Sequence, residues 1–324
     1  MQQVYTPPPK GGLLSFPKLK FTGNGGSYFG ILIVNALLCA ITLGIYYPWA
    51  RAKKLEFLYS STELEDSPFV FSGTGYEMFK GFIKAVGILA VFFIIEALLA
   101  RAMLIPVAAV VYLAFILLIV PFAIHGAMRY RWSRTSWRGI RFGYRGNRGE
   151  LMKLFVKEFF LTIITAGIYG SWMLMNLRNY IIGNIRFGSG EFKYKGDGWE
   201  FFVLNIKGYF LTIITLGIYG FWWQANMFRY YIDNMTLSNN GKTFTFRSTA
   251  TGGQFAGLIL LNLLIVVFTL GIGFAWAEVR TFKFVCDHIE IEGDVVLDEL
   301  QQTEEEYTNA MGDDLADALD LNLV

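Results

Sequence analysis

LTIITLGIYG, residues 211–220, closes an apolar run, and nearly the same words recur as LTIITAGIYG at 161–170, AITLGIYY at 40–47 and VFTLGIGF at 267–274. A pattern T-x-G-I written four times, each time at the end of an apolar stretch, asks for one local structure built four times. Glycine suits a sharp change of chain direction or a close backbone approach. A Thr two residues earlier can return its hydroxyl to a carbonyl one turn back, so no polar group is left unpaired in an apolar medium. Tyr and Trp just beyond the turn (Tyr46, Trp49, Tyr169, Trp172, Tyr219, Trp222, Trp223) have the apolar body and polar tip favoured at a membrane interface. The reading is structural: Thr42, Gly44, Thr165, Gly167, Thr215, Gly217, Thr269 and Gly271 make helix ends or tight turns at a membrane boundary.

Composition agrees with a membrane class. Apolar residues form 54% of the 324-residue chain and charged residues only 17%, with a mean hydropathy of +0.42. An average soluble domain is about a quarter charged. The formal net charge of +2 gives no case for nucleic acid, and the basic residues sit beside apolar runs, as membrane proteins place them. The N-terminal MQQVYTPPPKGGLLSFPKLK lacks the apolar core and cleavage site of a signal peptide and reads as a tail over residues 1–20. Cys39 and Cys286 have no metal-ligand spacing, and Cys39 reads as a small buried hydrophobe.

A second motif, Phe-x-x-x-Gly, precedes the turns: FTGNG at 21–25, FGYRG at 142–146, FKYKG at 192–196 and the variant FRSTA at 246–250. Phe142 to Gly167, Phe192 to Gly217 and Phe246 to Gly271 are each 25 residues, whereas Phe21 to Gly44 is 23. FSGTG at 71–75 opens a further unit that lacks T-x-G-I and carries two ordinary membrane-length runs instead. Five imperfect units follow, near 21–70, 71–141, 142–191, 192–245 and 246–290, with an acidic tail at 291–324. Each regular unit reads as a strand-like start, an apolar helix, the break, a shorter helix rich in Trp, Tyr and Arg, and a β-hairpin link around Gly-Ser-Gly or Asn-Asn-Gly. The tail ends in DDLADALDLNLV, apolar at helical spacing, either a loose tail or a docking helix that folds back on the basic links.

Two topologies are open. If the Trp/Arg segments lie flat on the membrane, the chain spans six times and the links alternate in side. If they return, each unit is a helical hairpin, about ten helices enter the membrane and all links share one side. The second is favoured, because Lys or Arg flank every link, where alternating sides predict alternating charge. The fold class expected is an all-α polytopic membrane protein with short β-hairpin links, both termini cytoplasmic.

Counting from the turn glycines exposes a polar register. Asn35 and Asn262 stand nine residues before; Lys53, Asn176, Asn226 and Arg280 stand nine after; Arg178, Arg229 and Glu278 are near, as is Arg51. Nine helical residues cover about 13 Å, deep enough that polar groups must face protein or water. These residues are the candidates for a solute pathway, weighed against simple helix-to-helix hydrogen bonding. Glu96, Arg101 and His125 lie in or beside the apolar runs, and Lys157, Glu158 and Lys207 read as snorkelling residues. No catalytic motif is present, so an enzyme is not expected, nor any cofactor or metal site.

F-x-G-x-G, then YFGILIVNALLCAITLGIYYPWARAK, then the recurring T-L-G-I-Y-x-x-W resemble the YjgN-like bacterial inner-membrane proteins, a domain family of unknown function. The resemblance covers residues from about 15 to 290. It implies a polytopic protein of a bacterial inner membrane and brings no activity or site residues with it. The unit at 71–141 departs from the signature. Two functional classes stay open: a channel or transporter for a small solute, ion or lipid, and a non-transporting scaffold that organises lipids or a partner complex through its links and tail. The lipid bilayer is the partner expected under both, with an oligomer or protein partner left open.

Overall fold

The computed structural model describes residues 17–293 and 297–303. Five β–α–α–β segments follow one another. They are β1 (Leu19–Phe21), α1 (Gly25–Ile41), α2 (Tyr47–Ser60), β2 (Thr62–Leu64); β3 (Ser67–Phe71), α3 (Gly75–Arg101), α4 (Ile105–Ser133), β4 (Thr135–Trp137); β5 (Ile140–Tyr144), α5 (Arg148–Ile164), α6 (Gly170–Gly183), β6 (Ile185–Phe187); β7 (Gly190–Tyr194), α7 (Gly198–Ile214), α8 (Gly220–Asp233), β8 (Met235–Asn239); and β9 (Lys242–Ser248), α9 (Gly252–Phe268), α10 (Phe274–Asp287), β10 (Ile289–Gly293). The expectation of an all-α protein is corrected. The chain is mostly helical, but its links do not stay separate hairpins. They join into one ten-stranded antiparallel sheet in sequence order, and an isolated bridge from Lys18 to Glu290 brings its two edges together.

The sheet is held by a two-residue alternation. In β9, Phe244, Phe246 and Ser248 are buried while Thr243, Thr245 and Arg247 are exposed, so one face carries the apolar set. That face gathers Leu64, Trp137, Phe142, Phe187, Leu237, Phe244 and Ile291 into a core. Phe142 stacks on Phe187 with centroids 4.2 Å apart. Trp137 buries its ring and donates its indole N–H to the carbonyls of Leu64 and Ser67 at 3.2 and 3.0 Å, which satisfies the one polar group that burial endangers. The tight turns carry the residues a hairpin needs: Asn240 and Gly241 both have positive φ, +49° and +81°.

Each helical pair leaves the sheet and returns to it. Helices pack on their sequence neighbours all round, and α10 packs on α1, so the ten form a ring above the sheet. The outgoing helices start on side-chain caps at equivalent places: Asn24, Thr74, Asn147, Asp197 and Thr251 each accept from a first-turn N–H, worth about 1 kcal/mol apiece. The true register differs from the sequence reading. Phe21 to Gly44, Tyr144 to Gly167, Tyr194 to Gly217 and Ser248 to Gly271 are each 23 residues, counted from the last strand residue to the turn glycine. Phe142, Phe192 and Phe246 are core residues two positions earlier in their strands; aligning them with Phe21 produced the false 25. Correctly aligned, α1, α5, α7 and α9 are each 17 residues and α2, α6, α8 and α10 each 14.

The T-x-G-I turn explains itself atom by atom. In unit four, Leu216 sits at φ +49° and Gly217 at φ +95°, the second a value that only glycine adopts without strain. Every backbone N–H from Thr215 to Gly220 has an acceptor within the turn. Thr215 closes the set: its Oγ1 donates to the Leu211 carbonyl at 2.7 Å and accepts the Tyr219 N–H at 2.9 Å. Helix α8 has no side-chain cap on its own N-cap residue; the Thr of the turn does that job. The same bonds recur around Thr42, Thr165 and Thr269. What projects from these tips is apolar and bare, with Leu43, Leu216 and Leu270 each 94% exposed.

Helix lengths bear on the count of spans. Only α3 and α4, at 27 and 29 residues, are long and apolar enough to cross a membrane by themselves among the described residues. The 17-residue helices reach about 25 Å and the 14-residue helices about 21 Å, short of a hydrocarbon core of about 30 Å. Against the expected ten or so membrane helices, the described residues give one long hairpin among four shorter ones. The domain limits also move: strand pairing already involves Lys18 and Leu19 and runs to Gly293. Residues 297–303 lie against the sheet, with Leu297 and Leu300 in its core, Glu299 on Lys242 at 2.9 Å and the Thr303 hydroxyl on the Gly188 carbonyl at 2.6 Å. The helical stretch expected at DDLADALDLNLV and most of the N-terminal tail lie outside the described residues.

Candidate functional site: a cavity between sheet and hairpins

A cavity of about 960 Å³ runs from the apolar face of the sheet up between the first hairpin and its neighbours. Its floor is sheet core: Leu64, Phe142, Phe187, Leu237, Phe244 and Ile291. Leu32, Asn35, Ala36 and Cys39 line one side from α1, and their helical spacing puts all four on one face. Tyr47, Ala50, Arg51, Lys54, Leu55, Leu58 and Tyr59 come from α2, Arg131 and Trp132 from the end of α4, and Glu278 and Phe282 from α10. The lining therefore follows α2 along most of its length, about 20 Å. Ligand pockets commonly span about 300–1,000 Å³, so this one is at the large end.

Its polar groups are few and unequal. Glu278 accepts the buried Tyr28 hydroxyl on Oε2 at 2.8 Å and the Lys54 ammonium on Oε1 at 2.7 Å. This knot ties α1, α2 and α10 together where the ring closes, and neutralises one charge of each sign. Asn35 spends its amide on the Ala50 carbonyl at 3.2 Å. Arg51 and Arg131 have no carboxylate partner among the described residues. The cavity is thus a mostly apolar chamber with two guanidinium groups that no carboxylate among the described residues compensates.

The polar register read from sequence falls mostly elsewhere. Of its nine members only Asn35 and Glu278 line this chamber. Lys53 pairs with Glu56 at 2.9 Å on an exposed surface. Asn176 donates to Glu158 at 2.9 Å. Arg178 stacks over Tyr231, 4.1 Å from the ring centroid, and lies 5.2 Å from that of Tyr194. Asn226 and Arg229 lie on a separate groove between α7 and α8, and Arg229 donates to the Ala250 carbonyl at 3.1 Å. Asn262 donates to the Ala277 carbonyl at 3.1 Å and accepts from Arg280 at 3.1 Å.

These bonds share a logic. The residue nine before the turn glycine meets the returning helix of its own hairpin: Asn35 reaches Ala50, Glu158 reaches Asn176, Asn262 reaches Ala277, and Gly208 gives room to the Trp223 ring. The nine-before positions clasp the four regular hairpins internally, whereas Arg178, Arg229 and Glu278 reach the neighbouring unit, and the register forms no one shared seam. Glu158 corrects the sequence reading outright: it is fully buried, with its carboxylate on Asn176, and is no snorkelling residue. Its place nine residues before Gly167 was the signal that could have found it. Cys39 is half-buried on the cavity wall, while Cys286 is buried in the cluster where the ring closes.

A second contact fixes hairpin to hairpin. The Trp five residues after each turn glycine lies on the first glycine of the next outgoing helix. Trp49 meets Gly75, Trp172 meets Gly198, Trp222 meets Gly252, and Trp276 meets Gly25 across the ring closure; a β-carbon at any of these glycines would collide with the indole.

The family model described as bacterial protein of unknown function (DUF898) matches residues 16–202, 189–241 and 223–318, nearly the whole described chain. Among curated proteins, the chain is 33% identical over 127 residues to the inner membrane protein YjgN of Salmonella typhimurium strain LT2, covering 39% of this chain and 31% of that protein. It is 32% identical over 146 residues to the inner membrane protein YjgN of Escherichia coli strain K12, covering 45% and 35%. The matched region spans about a third of the length of these relatives. No solved structure matches.

Proposed function

The chain belongs to the DUF898 family of bacterial proteins, whose curated relatives are inner membrane proteins, and on that premise we propose that it is a carrier: a membrane-embedded protein that takes a solute into the chamber between its sheet and its first hairpin. The observation that carries the reading is the chamber itself, large, walled by four helices and continuous with the sheet interior. A pore on the axis of the ring would draw lining from every hairpin, whereas α5 to α9 contribute no residue to this chamber. The reading is therefore uptake into an off-axis site rather than an open channel.

In this reading the sheet is cytoplasmic and the hairpins dip into the bilayer. Two features support that placement. The hairpin tips are apolar and have no unpaired backbone N–H from the turn Thr to the second residue past Ile, the requirement for irregular backbone in lipid. The sheet links carry the Arg and Lys, which favours the cytoplasmic side. All five hairpins then share one side and the chain is multi-pass through its long α3–α4 pair.

Cys39 supplies the test, since it lines the chamber. Purified protein lacking Cys286 is reconstituted in liposomes and assayed for movement of ions, small solutes and labelled lipids. Attaching a bulky maleimide to Cys39 is expected to abolish whichever movement is seen, and a variant lacking both cysteines is expected to ignore the reagent. Absence of any movement, or movement unchanged by the adduct, refutes the carrier.

A further inference from the structure

The chamber specifies more than its size. We infer that its ligand is an anionic amphiphile, one or more acyl chains carrying a phosphate or carboxylate head, with Arg51 and Arg131 as the headgroup residues. The inference rests on the carrier reading for the chamber and goes beyond it by naming the chemistry of the cargo.

Three observations converge. The wall is apolar for most of its length, from Leu32 and Leu58 down to Phe187 and Phe244, which suits hydrocarbon and gives a hydrophilic solute few partners. The charges on that wall do not cancel: Lys54 is neutralised by Glu278 at 2.7 Å, leaving Arg51 and Arg131 without a carboxylate among the described residues. The two guanidiniums also lie at different depths. Arg131 is two residues from the sheet end of α4 and Arg51 nine residues from the sheet end of α2, about 3 and 13 Å along their helices. A guanidinium held that far up a membrane hairpin is costly unless it meets water or an anion, and Arg, with its planar fork, is the side chain suited to carboxylate and phosphate oxygens. The Lys54–Glu278 pair stands between the two levels. The arrangement offers a head two stations, one near the sheet and one higher, with apolar wall for the chain at both.

The head could be a phospholipid's or a free fatty acid's, and the experiment separates them. The full-length protein, purified in an uncharged detergent, is titrated with three probes bearing the same fluorophore on an acyl chain: phosphatidylglycerol, a fatty acid and phosphatidylcholine. Binding of at least one anionic probe is expected to exceed that of phosphatidylcholine about tenfold or more, and whichever anionic probe binds more tightly identifies the source. Arg51→Gln and Arg131→Gln are each expected to weaken the anionic probe about tenfold, as loss of one charge-assisted contact implies. Arg51→Lys, which keeps the charge, should retain part of the binding and shows that Arg51→Gln has not merely unfolded the protein. Lys157→Gln, on an exposed side chain outside the chamber, should change nothing. Ala36→Trp, which sets a bulky ring into the chamber from the α1 wall, should block every probe. Equal affinity for phosphatidylcholine, or arginine variants that bind like the parent, overturns the anionic ligand; if Ala36→Trp still blocks binding in that case, the chamber remains the site and only the ligand class is wrong. Binding indifferent to Ala36→Trp overturns both.

Discussion

Replacing Thr215 with Val tests what the recurring turn is for. The two side chains have nearly the same shape, so the change removes polarity and little volume. Two hydrogen bonds disappear: Oγ1 to the Leu211 carbonyl at 2.7 Å and the Tyr219 N–H to Oγ1 at 2.9 Å. The consequences differ. The Leu211 carbonyl keeps the Thr215 N–H at 3.0 Å and stays satisfied. The Tyr219 N–H has no other acceptor, because the chain bends there and the helix ladder has not yet begun. One orphaned N–H costs about 1–3 kcal/mol when water cannot reach it and close to nothing when water can. The size of the loss therefore reports the medium around the tip. With Leu216 bare at 94% exposure, a tip in hydrocarbon predicts the full loss, and a tip in water predicts less than about 0.5 kcal/mol. The assay is reversible unfolding in lipid bicelles, comparing the parent, Thr215→Val and Thr215→Ser. Serine keeps both bonds and should cost much less than valine. A valine variant as stable as the parent, or a serine variant as damaged as valine, refutes the account.

Other outcomes are expected from the same geometry. Gly252→Ala drives a methyl group into the Trp222 indole and should destabilise by about 1–3 kcal/mol, with partial rescue by Trp222→Leu in thermal melts of the double variant. Glu278→Gln removes the charge that holds Lys54 and leaves the chamber a third uncompensated cation; anionic probes should bind more tightly, and unchanged or weaker binding contradicts the charge argument. Tyr144→Phe deletes a buried hydroxyl that has no hydrogen-bond partner among the described residues and whose pKa burial pushes up; the melting temperature should stay level or rise, and a clear fall would show a partner for that hydroxyl. Single cysteines at Glu65 and Asn240, exposed turn residues of two distant links, should both resist an impermeant thiol reagent in intact cells lacking Cys39 and Cys286; labelling of one alone would place the links on opposite sides.

The turn was readable because its chemistry is local. Leu38 to Tyr47 contains every donor and acceptor that the bend needs, so four similar words were enough. The sheet was not readable as one object. Hairpin signals such as Asn240–Gly241 mark a turn between adjacent strands, whereas the pairing of β3 with β4 joins residues separated by two long helices, and nothing in either strand names the other. The same distance hid the chamber. Arg51 and Glu278 were visible as polar residues near a turn, but their shared wall depends on α10 packing against α1 across almost the whole chain. The Phe-x-x-x-Gly register failed for a simpler reason. Phe21 and Phe142 are both inward aromatics of alternating strands, and a period of two residues makes a slip of two invisible to the pattern.

The indole–glycine contact also explains why one hairpin differs. A ring of five hairpins needs five junctions, and four are made by Trp49, Trp172, Trp222 and Trp276 on a glycine. The fifth, between α4 and α5, has neither partner: the α3–α4 hairpin carries no T-x-G-I-x-x-x-Trp, and Arg148 stands where the glycine would be. The two departures belong together, since a glycine kept without its indole would leave a gap, and an indole without its glycine would clash. What fills the junction is Arg148 over the Phe122 ring at 5.0 Å, with Leu117, Val120 and Ile124 packing on Leu151 and Phe155. Pro121 lies in α4 beside these contacts and removes one backbone donor from the helix. The junction is thus held by a cation–π contact and aliphatic packing instead of a keyed aromatic. The long α3–α4 hairpin is keyed into the ring through Gly75 on one edge and only packed on the other. It is also the hairpin whose final turns bring Arg131 and Trp132 to the chamber wall. A movement that opens the chamber would be expected at this edge, because here the ring can part without pulling an indole off a glycine.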